Sequence, residues 1–287
     1  METPVFVFGS TGMLGRYMTS YLKRNDRLHI INVTRKEIDA SQVTTNDLFD
    51  FFKNHDVSYS TKAVVINCMG IIPQSKNVND TSNLAYFRIN SLFPNMLATV
   101  CDKLCAKYIH ITTDCVFSGN RGMYSETDKH DETNNYGVSK SLGELGINAT
   151  VIRTSIIGEE LKNKYSLLEW VCSHKDTEIN GYTNHYWNGV TCLQLSIIIG
   201  NIIRNKSYWT GVRHIFSPSP VSKYELVCMI NEIYELNNTV KKFETEDKVD
   251  KTLTTNCNTC FSFHIPDLKI QITELQQYRD LKSITFI

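Results

Sequence analysis

Along the first half of the chain, short apolar runs alternate with stretches in which apolar residues recur at helical spacing. "PVFVF" (4–8) is such a run, and after a glycine-rich turn Met13, Leu14, Tyr17, Met18, Tyr21 and Leu22 share one helix face. "LHIINV" (28–33) predicts a second strand, and "TTNDLFDFFKNH" (44–55) a helix opening on a threonine or asparagine cap. "AVVINCMG" (63–70) is β-branched and apolar on both faces, as a parallel sheet covered by helices requires. A helix is expected over 84–103, a strand at "YIHITT" (108–113), a helix from about Tyr136 and a strand at "ATVIRTS" (149–155). This alternation predicts an α/β fold, a doubly wound parallel sheet of the Rossmann type.

After Gly158 the rhythm changes. Helices are expected near 165–173, over 191–204 and over 222–236, with short strands between them and the polar, aromatic segment "GYTNHYWNGVT" (181–191). "KKFETEDKVDKT" (241–252) reads as a solvated loop. The expected organisation is a dinucleotide-binding domain over 1–158 and a smaller substrate lobe over 159–287, with the chain crossing between them.

Composition narrows the class. Thirty basic residues balance thirty acidic ones, so neither a nucleic acid nor a membrane surface is an expected partner. No apolar run approaches the roughly 18 residues of a membrane helix, and "METPVFVFGSTG" lacks the basic start of a signal peptide. Nine cysteines without a framework spacing suit reduced thiols in the cytoplasm. "CNTC" pairs Cys257 with Cys260, but the second pair a zinc site needs is missing even with His264 nearby, so no metal is expected.

The turn after the first strand runs Gly9, Ser10, Thr11, Gly12, Met13, Leu14, Gly15. Glycines there permit a tight turn, let the backbone approach a pyrophosphate and bring the helix against the sheet; the helix start then favours the anion. In this strand–turn–helix setting the motif predicts dinucleotide binding. Where a carboxylate would select the unphosphorylated cofactor, the second strand ends in Thr34, Arg35 and Lys36. A guanidinium suits a 2′-phosphate, so NADP(H) is expected, with NAD(H) as the alternative.

Tyr136 and Lys140, four apart at a helix start, share one face. A free tyrosine titrates near 10, and a neighbouring ammonium would favour its phenolate. Such a pair can give a proton to a carbonyl oxygen as hydride arrives. A polarising hydroxyl would come from Thr112 or Thr113, between which strand alternation alone does not choose.

With "FGSTGMLGR", "ITTDCVFSG", "YGVSK" and "VIRTSIIG" in this order, the chain resembles the extended short-chain dehydrogenase/reductases, and within them the dTDP-4-dehydrorhamnose reductase branch over most of its length. "NHYWNGVT" is similar to the sugar-nucleotide lobe of that branch. The resemblance implies Thr113, Tyr136 and Lys140 as the catalytic set and nicotinamide-side contacts near Asn67, Cys68 and Gly70. It also implies reduction of a 4-keto group on a UDP- or dTDP-linked 6-deoxyhexose.

Two positions depart from the rhamnose-type pattern: Cys115 stands where a tyrosine is usual, and Ile156 where a tryptophan follows "RTS". Related epimerase–reductases, such as GDP-fucose synthase and the plant UDP-rhamnose-forming enzyme, carry a cysteine two positions past the catalytic hydroxyl, as Cys115 stands to Thr113. That match implies a 3,5-epimerase role for the thiol, with His185 or Lys175 as candidate partner; the alternative is a filler beneath the sugar. Asn184, His185 and Trp187 are the candidate substrate contacts. The expected partner is a nucleotide sugar, self-association into a homodimer is left open, and two rival functions stand: a dinucleotide-binding regulatory subunit of another enzyme, or a reductase or epimerase of a different nucleotide sugar.

Overall fold

The alternation is realised as a six-stranded parallel sheet, in a computed structural model that describes residues 2–59, 62–73, 83–144, 146, 148–160, 164–257 and 263–278. The first half contributes β1 (Thr3–Phe8), α1 (Met13–Leu22), β2 (Leu28–Val33), α2 (Thr45–Lys53), β3 (Val64–Asn67), α3 (Asn83–Phe87), α4 (Phe93–Lys103), β4 (Lys107–Thr113), α5 (Asn135–Leu142), β5 (Thr150–Thr154) and β6 (Ile156–Ile157). Then come α6 (Leu167–Ser173), β7 (Glu178–Tyr182), β8 (His185–Trp187), β9 (Val190–Thr191), α7 (Cys192–Asn205), β10 (Gly211–His214), β11 (Val221–Ser222), α8 (Lys223–Ile233), β12 (Thr239–Phe243), β13 (Val249–Asp250) and α9 (Leu268–Gln277).

The strand order β10-β5-β4-β3-β1-β2 reverses direction between β1 and β3. A crevice opens at such a switch point, beyond the carboxyl ends of the strands. Both sheet faces are covered, which the pleat explains: Val5, Val7, Ile66, Ile109 and Ile111 look toward α1 and α7, while Phe6, Phe8, Val65 and Tyr108 look toward α2 and α4. Burying each such side chain contributes about 1.5–3 kcal/mol. On the second face Phe6 meets Phe52 edge to face at 5.1 Å, an arrangement aromatic quadrupoles favour.

The segment expected as one helix over 84–103 is interrupted by a π turn at Arg88–Leu92, where the Phe93 amide bonds the Arg88 carbonyl. Pro94 lacks the amide that would bond the Asn90 carbonyl, so the helix widens there. The turn aims Asn90 inward: its Oδ1 accepts from the Ile71 amide at 3.0 Å, and its Nδ2 donates to the Ile71 carbonyl at 3.1 Å and to Ser139 Oγ at 3.2 Å. The loop after β3 is thereby tied to α5.

Three features of the second half were not in the pattern. Residues 239–243, partly read as solvated loop, form β12 parallel to β7. Charged composition correctly reports that its side chains meet water, as in the Lys241–Glu178 ion pair at 2.7 Å, but carries no information on backbone pairing. β13 likewise pairs with β8. Helix α9, unforeseen, docks through the buried Gln271, which accepts from the Thr191 amide at 3.1 Å and donates to Ser217 Oγ at 2.9 Å. β10, from beyond residue 158, pairs in parallel with β5 and completes the sheet.

Candidate active site

The crevice is a cleft of about 580 Å³ whose walls include Gly12, Cys68, Thr113, Tyr136 and Lys140. At its cofactor end Gly9 holds φ +76°, a left-handed conformation open to glycine at low cost. A β-carbon on Gly15 would fall onto the Gly9 carbonyl oxygen. The helix thus begins in contact with the strand, and no side chain caps α1 at Gly12, leaving its first amides for an anion. Met13 and Leu14 line the wall, Thr11 is exposed at the turn, and Ser10 is buried. These features fit a dinucleotide pyrophosphate.

The reaction end is assembled from β4, α5 and the loop after β3. Thr113 ends β4; its hydroxyl donates to Asp114 Oδ1 at 3.0 Å and accepts from the Cys115 amide at 3.1 Å, and it lines the same cleft as Tyr136. Thr112, one residue back, turns its buried hydroxyl away from any partner among the described residues. Asn134 caps α5 by accepting from the Gly137 amide at 2.9 Å, fixing where Tyr136 and Lys140 stand. Gly70 lies close to this lysine: a β-carbon there would come within 2.9 Å of Lys140 Nζ, and the ammonium would have to shift.

Burial governs the titrations. It pushes the Tyr136 hydroxyl well up, with the Cys115 charge adding to the rise and Thr113 opposing it. The expected lowering by Lys140 is therefore overridden, because desolvation of the phenolate is the larger effect. Burial brings Lys140 down to about 8, with Glu144, Cys68 and Cys115 opposing. Cys115 is pushed up to about 12 by burial and by Asp114, with Lys251 pulling it down. Lys223, its pKa lowered by burial, and Lys251, paired with Glu132 at 3.1 Å, both interact with Asp114 and Cys115 at the substrate end of the cleft. No spacing signal marked these two lysines, since they arrive from α8 and from the strap after β13.

A family model, RmlD substrate binding domain, matches residues 3–254. The chain belongs to the RmlD substrate-binding domain family. Among curated proteins it is 26% identical over 259 residues to the spore coat polysaccharide biosynthesis protein SpsK of Bacillus subtilis, covering 87% of this chain and 86% of that one. It is 23% identical over 251 residues to methionine adenosyltransferase 2 subunit beta of Bos taurus, covering 81% of this chain and 72% of the relative. Among solved structures, the dTDP-4-dehydrorhamnose reductase of Bacillus anthracis in complex with NADP superposes with a TM-score of 0.79 at 18% identity, covering 96% of this chain and 99% of that one.

In this RmlD-family chain not every candidate residue reaches the cleft. Cys68 and Gly70 line it, as do Cys115 and Ile156, the two positions that depart from the rhamnose-type pattern. Asn67 does not: its amide is consumed within the sheet, Oδ1 accepting from the Met69 amide at 3.0 Å and Nδ2 lying 3.2 Å from His110 Nδ1. It shapes the turn into Cys68. Asn184 donates to the Thr245 carbonyl at 2.7 Å and His185 Nε2 lies 2.8 Å from Thr245 Oγ1, so both pin the loop between β12 and β13. Trp187 lines the cleft, with Lys223 Nζ 5.0 Å from its ring centre. Lys175 is exposed next to α6 and is not among the cleft-lining residues.

The Arg35 side chain, just beyond the end of β2, is 73% exposed and paired with Asp39 at 3.1 Å; the nearby Glu37 carboxylate is occupied by the Thr34 amide and hydroxyl. Cys260 lies outside the described residues, and among the described ones no group of three potential ligands gathers for a metal. No described helix is long and apolar enough to cross a membrane.

Proposed function

We propose that the chain is an NADPH-dependent reductase acting on the 4-keto group of a UDP- or dTDP-linked 4-keto-6-deoxyhexose. The observation that carries this reading is the meeting of the glycine turn, Thr113, Tyr136 and Lys140 in one cleft. Membership of the RmlD family and the likeness to a reductase solved with NADP support the choice of substrate and cofactor. The glycine turn would hold the pyrophosphate of the cofactor and Arg35 its 2′-phosphate, and the bound cofactor would supply hydride for C4. Tyr136, kept protonated by burial, gives its proton to the developing alkoxide, while the Thr113 hydroxyl, turning from Asp114, donates a hydrogen bond to the same oxygen. Lys140 then stabilises the phenolate left behind.

The finer reading adds 3,5-epimerisation. A C4 ketone acidifies the hydrogens at C3 and C5, and the hydroxyls that stabilise an alkoxide would equally stabilise an enolate. A thiol raised to about 12 is a proton donor rather than a base, so Cys115 would reprotonate the carbon and a second group would remove the proton. A rival reading, a dinucleotide-binding subunit of another enzyme, draws on the likeness to the bovine methionine adenosyltransferase subunit. The presence of all three protonatable groups in the cleft favours catalysis.

The test is incubation with UDP- and dTDP-4-keto-6-deoxyglucose in deuterated water, with and without NADPH, followed by NMR and mass. Reduction abolished in Tyr136→Phe with cofactor binding retained is the expected result. Deuterium at C3 or C5, lost in Cys115→Ala, would establish epimerisation. A protein that binds NADPH and leaves every keto-sugar untouched would return the subunit reading.

A further inference from the structure

Lys223 reaches the substrate end of the cleft from the second half of the chain, and its backbone is fixed from two sides. β11 pairs antiparallel with β8, setting Val221 opposite Trp187. The next residue, Ser222, caps α8: its hydroxyl accepts from the Glu225 amide at 3.1 Å, and Glu225 Oε2 accepts from the Ser222 amide at 2.7 Å. The helix therefore begins at Lys223, whose Nζ lies 5.0 Å from the Trp187 ring centre. Lys223, Trp187 and Cys115 line the same cleft.

A group that takes a proton from carbon needs a lone pair open to the ligand. Around the cleft the other described candidates are engaged or withdrawn. Lys251 is paired with Glu132 at 3.1 Å, and Glu160 accepts from the Tyr165 amide at 2.7 Å. Asp114 is only 3% exposed, and Lys140 shares the helix face of Tyr136. Lys223 makes neither a hydrogen bond nor an ion pair among the described residues. Two effects weigh against its charge. An ammonium on the first residue of a helix meets the positive end of the macrodipole, and burial lowers the Lys223 pKa, with Asp114 and Cys115 opposing. The Trp187 face favours the cation but does not reverse that direction. What results is a lysine biased toward the neutral amine, the form a base requires.

We propose that Lys223 is the base of the epimerisation, taking the proton from C3 or C5 of the keto-sugar while Cys115 supplies one to the same carbon. The proposal rests on the epimerisation reading. In the first step the C–H bond breaks, the proton goes to Lys223 Nζ, and the electron pair moves to the C4 oxygen as an enolate facing the Tyr136 and Thr113 hydroxyls. In the second the enolate carbon takes the proton of Cys115 Sγ, leaving a thiolate and an ammonium, which exchange protons with water to restore both groups.

The test is the rate at which deuterium enters C3 and C5 of UDP- and dTDP-4-keto-6-deoxyglucose in deuterated water without NADPH, at saturating sugar, read by NMR. Lys223→Met should lower that rate at least about a hundredfold. Lys223→Arg keeps a positive charge without a titratable amine, so it should not recover the rate, whereas added methylamine should restore part of it in Lys223→Ala. NADPH binding and a melting curve report that each variant is folded. Exchange recovered in Lys223→Arg, or a defect that disappears at saturating sugar, would make Lys223 an anchor for the diphosphate and overturn the proposal. Exchange at the unchanged rate in Lys223→Met removes Lys223 alone; no exchange by the unaltered protein removes the epimerisation reading and the proposal with it.

Discussion

Around Arg153 each guanidinium nitrogen finds an acceptor in Glu144, His130 or His214, and each histidine passes its own proton to a further oxygen. On β4, a few residues from the reaction centre, the buried His110 Nε2 and Thr112 Oγ1 have no partner among the described residues, and α1 opens without a side-chain cap. Both regions are buried and polar, yet one is complete and the other is open. Leaving a buried donor unmatched costs about 1–3 kcal/mol, so groups left open mark where water or a ligand belongs. The complete region should therefore answer to mutation through stability, and the open one through chemistry.

Tyr136→Phe makes the sharpest break. Turnover of the 4-keto sugar should fall at least about a thousandfold, about 4 kcal/mol in the barrier, while the thermal midpoint moves by no more than a few degrees. Steady-state kinetics beside a melting curve decides it; a large loss of stability would erase the contrast. Arg153→Ala tests the other side. It strands Glu144 and both histidines, and chemical denaturation should report a loss of about 3–5 kcal/mol.

The histidines add a pH dependence with a defined sign. Burial, and the Arg153 charge, hold His214 down to about 4, and burial lowers His130 as well. The unfolded chain binds these protons first, near 6.5, so the contribution is full above that pH and is lost as the pH falls toward 4. Stability measured at pH 7.5, 6 and 5 should show a His214 share of about 2 kcal/mol in the loss, read as the difference between the slopes of the unchanged protein and His214→Gln. The smallest effect is expected at Thr112→Val, which exchanges an unmatched hydroxyl for a methyl. Stability should be unchanged or rise by up to about 1 kcal/mol, and a clear loss would reveal a partner for that hydroxyl.

Much of this architecture is legible along the chain because parallel strands and their covering helices write period-two and period-3.6 patterns locally. The glycine turn and Tyr136–Lys140 are legible for the same reason, each being confined to a few neighbouring residues. What arrives from far away leaves no local mark. Lys223 and Lys251 approach Cys115 only because β11, α8 and the strap after β13 fold back over the sheet. Asn67 and His185 have suitable chemistry in suitable segments, yet backbone and side-chain neighbours elsewhere in the chain occupy them. The π turn is intermediate: Pro94 announces a disturbance, but the widening and the inward aim of Asn90 depend on the helix that continues through it.

The sixth strand carries a consequence for the order of events during synthesis. β5 is an inner strand only because β10 lies against it, and β10 ends about 60 residues later. At roughly 5–20 residues per second, β5 emerges from a ribosome several seconds before its neighbour exists. During that interval the Thr150–Thr154 edge offers open amides and carbonyls beside an apolar surface, the kind of template that invites a strand from another chain. The nascent chain passes through its most adhesive moment with the glycine turn, the tyrosine and the lysine already made.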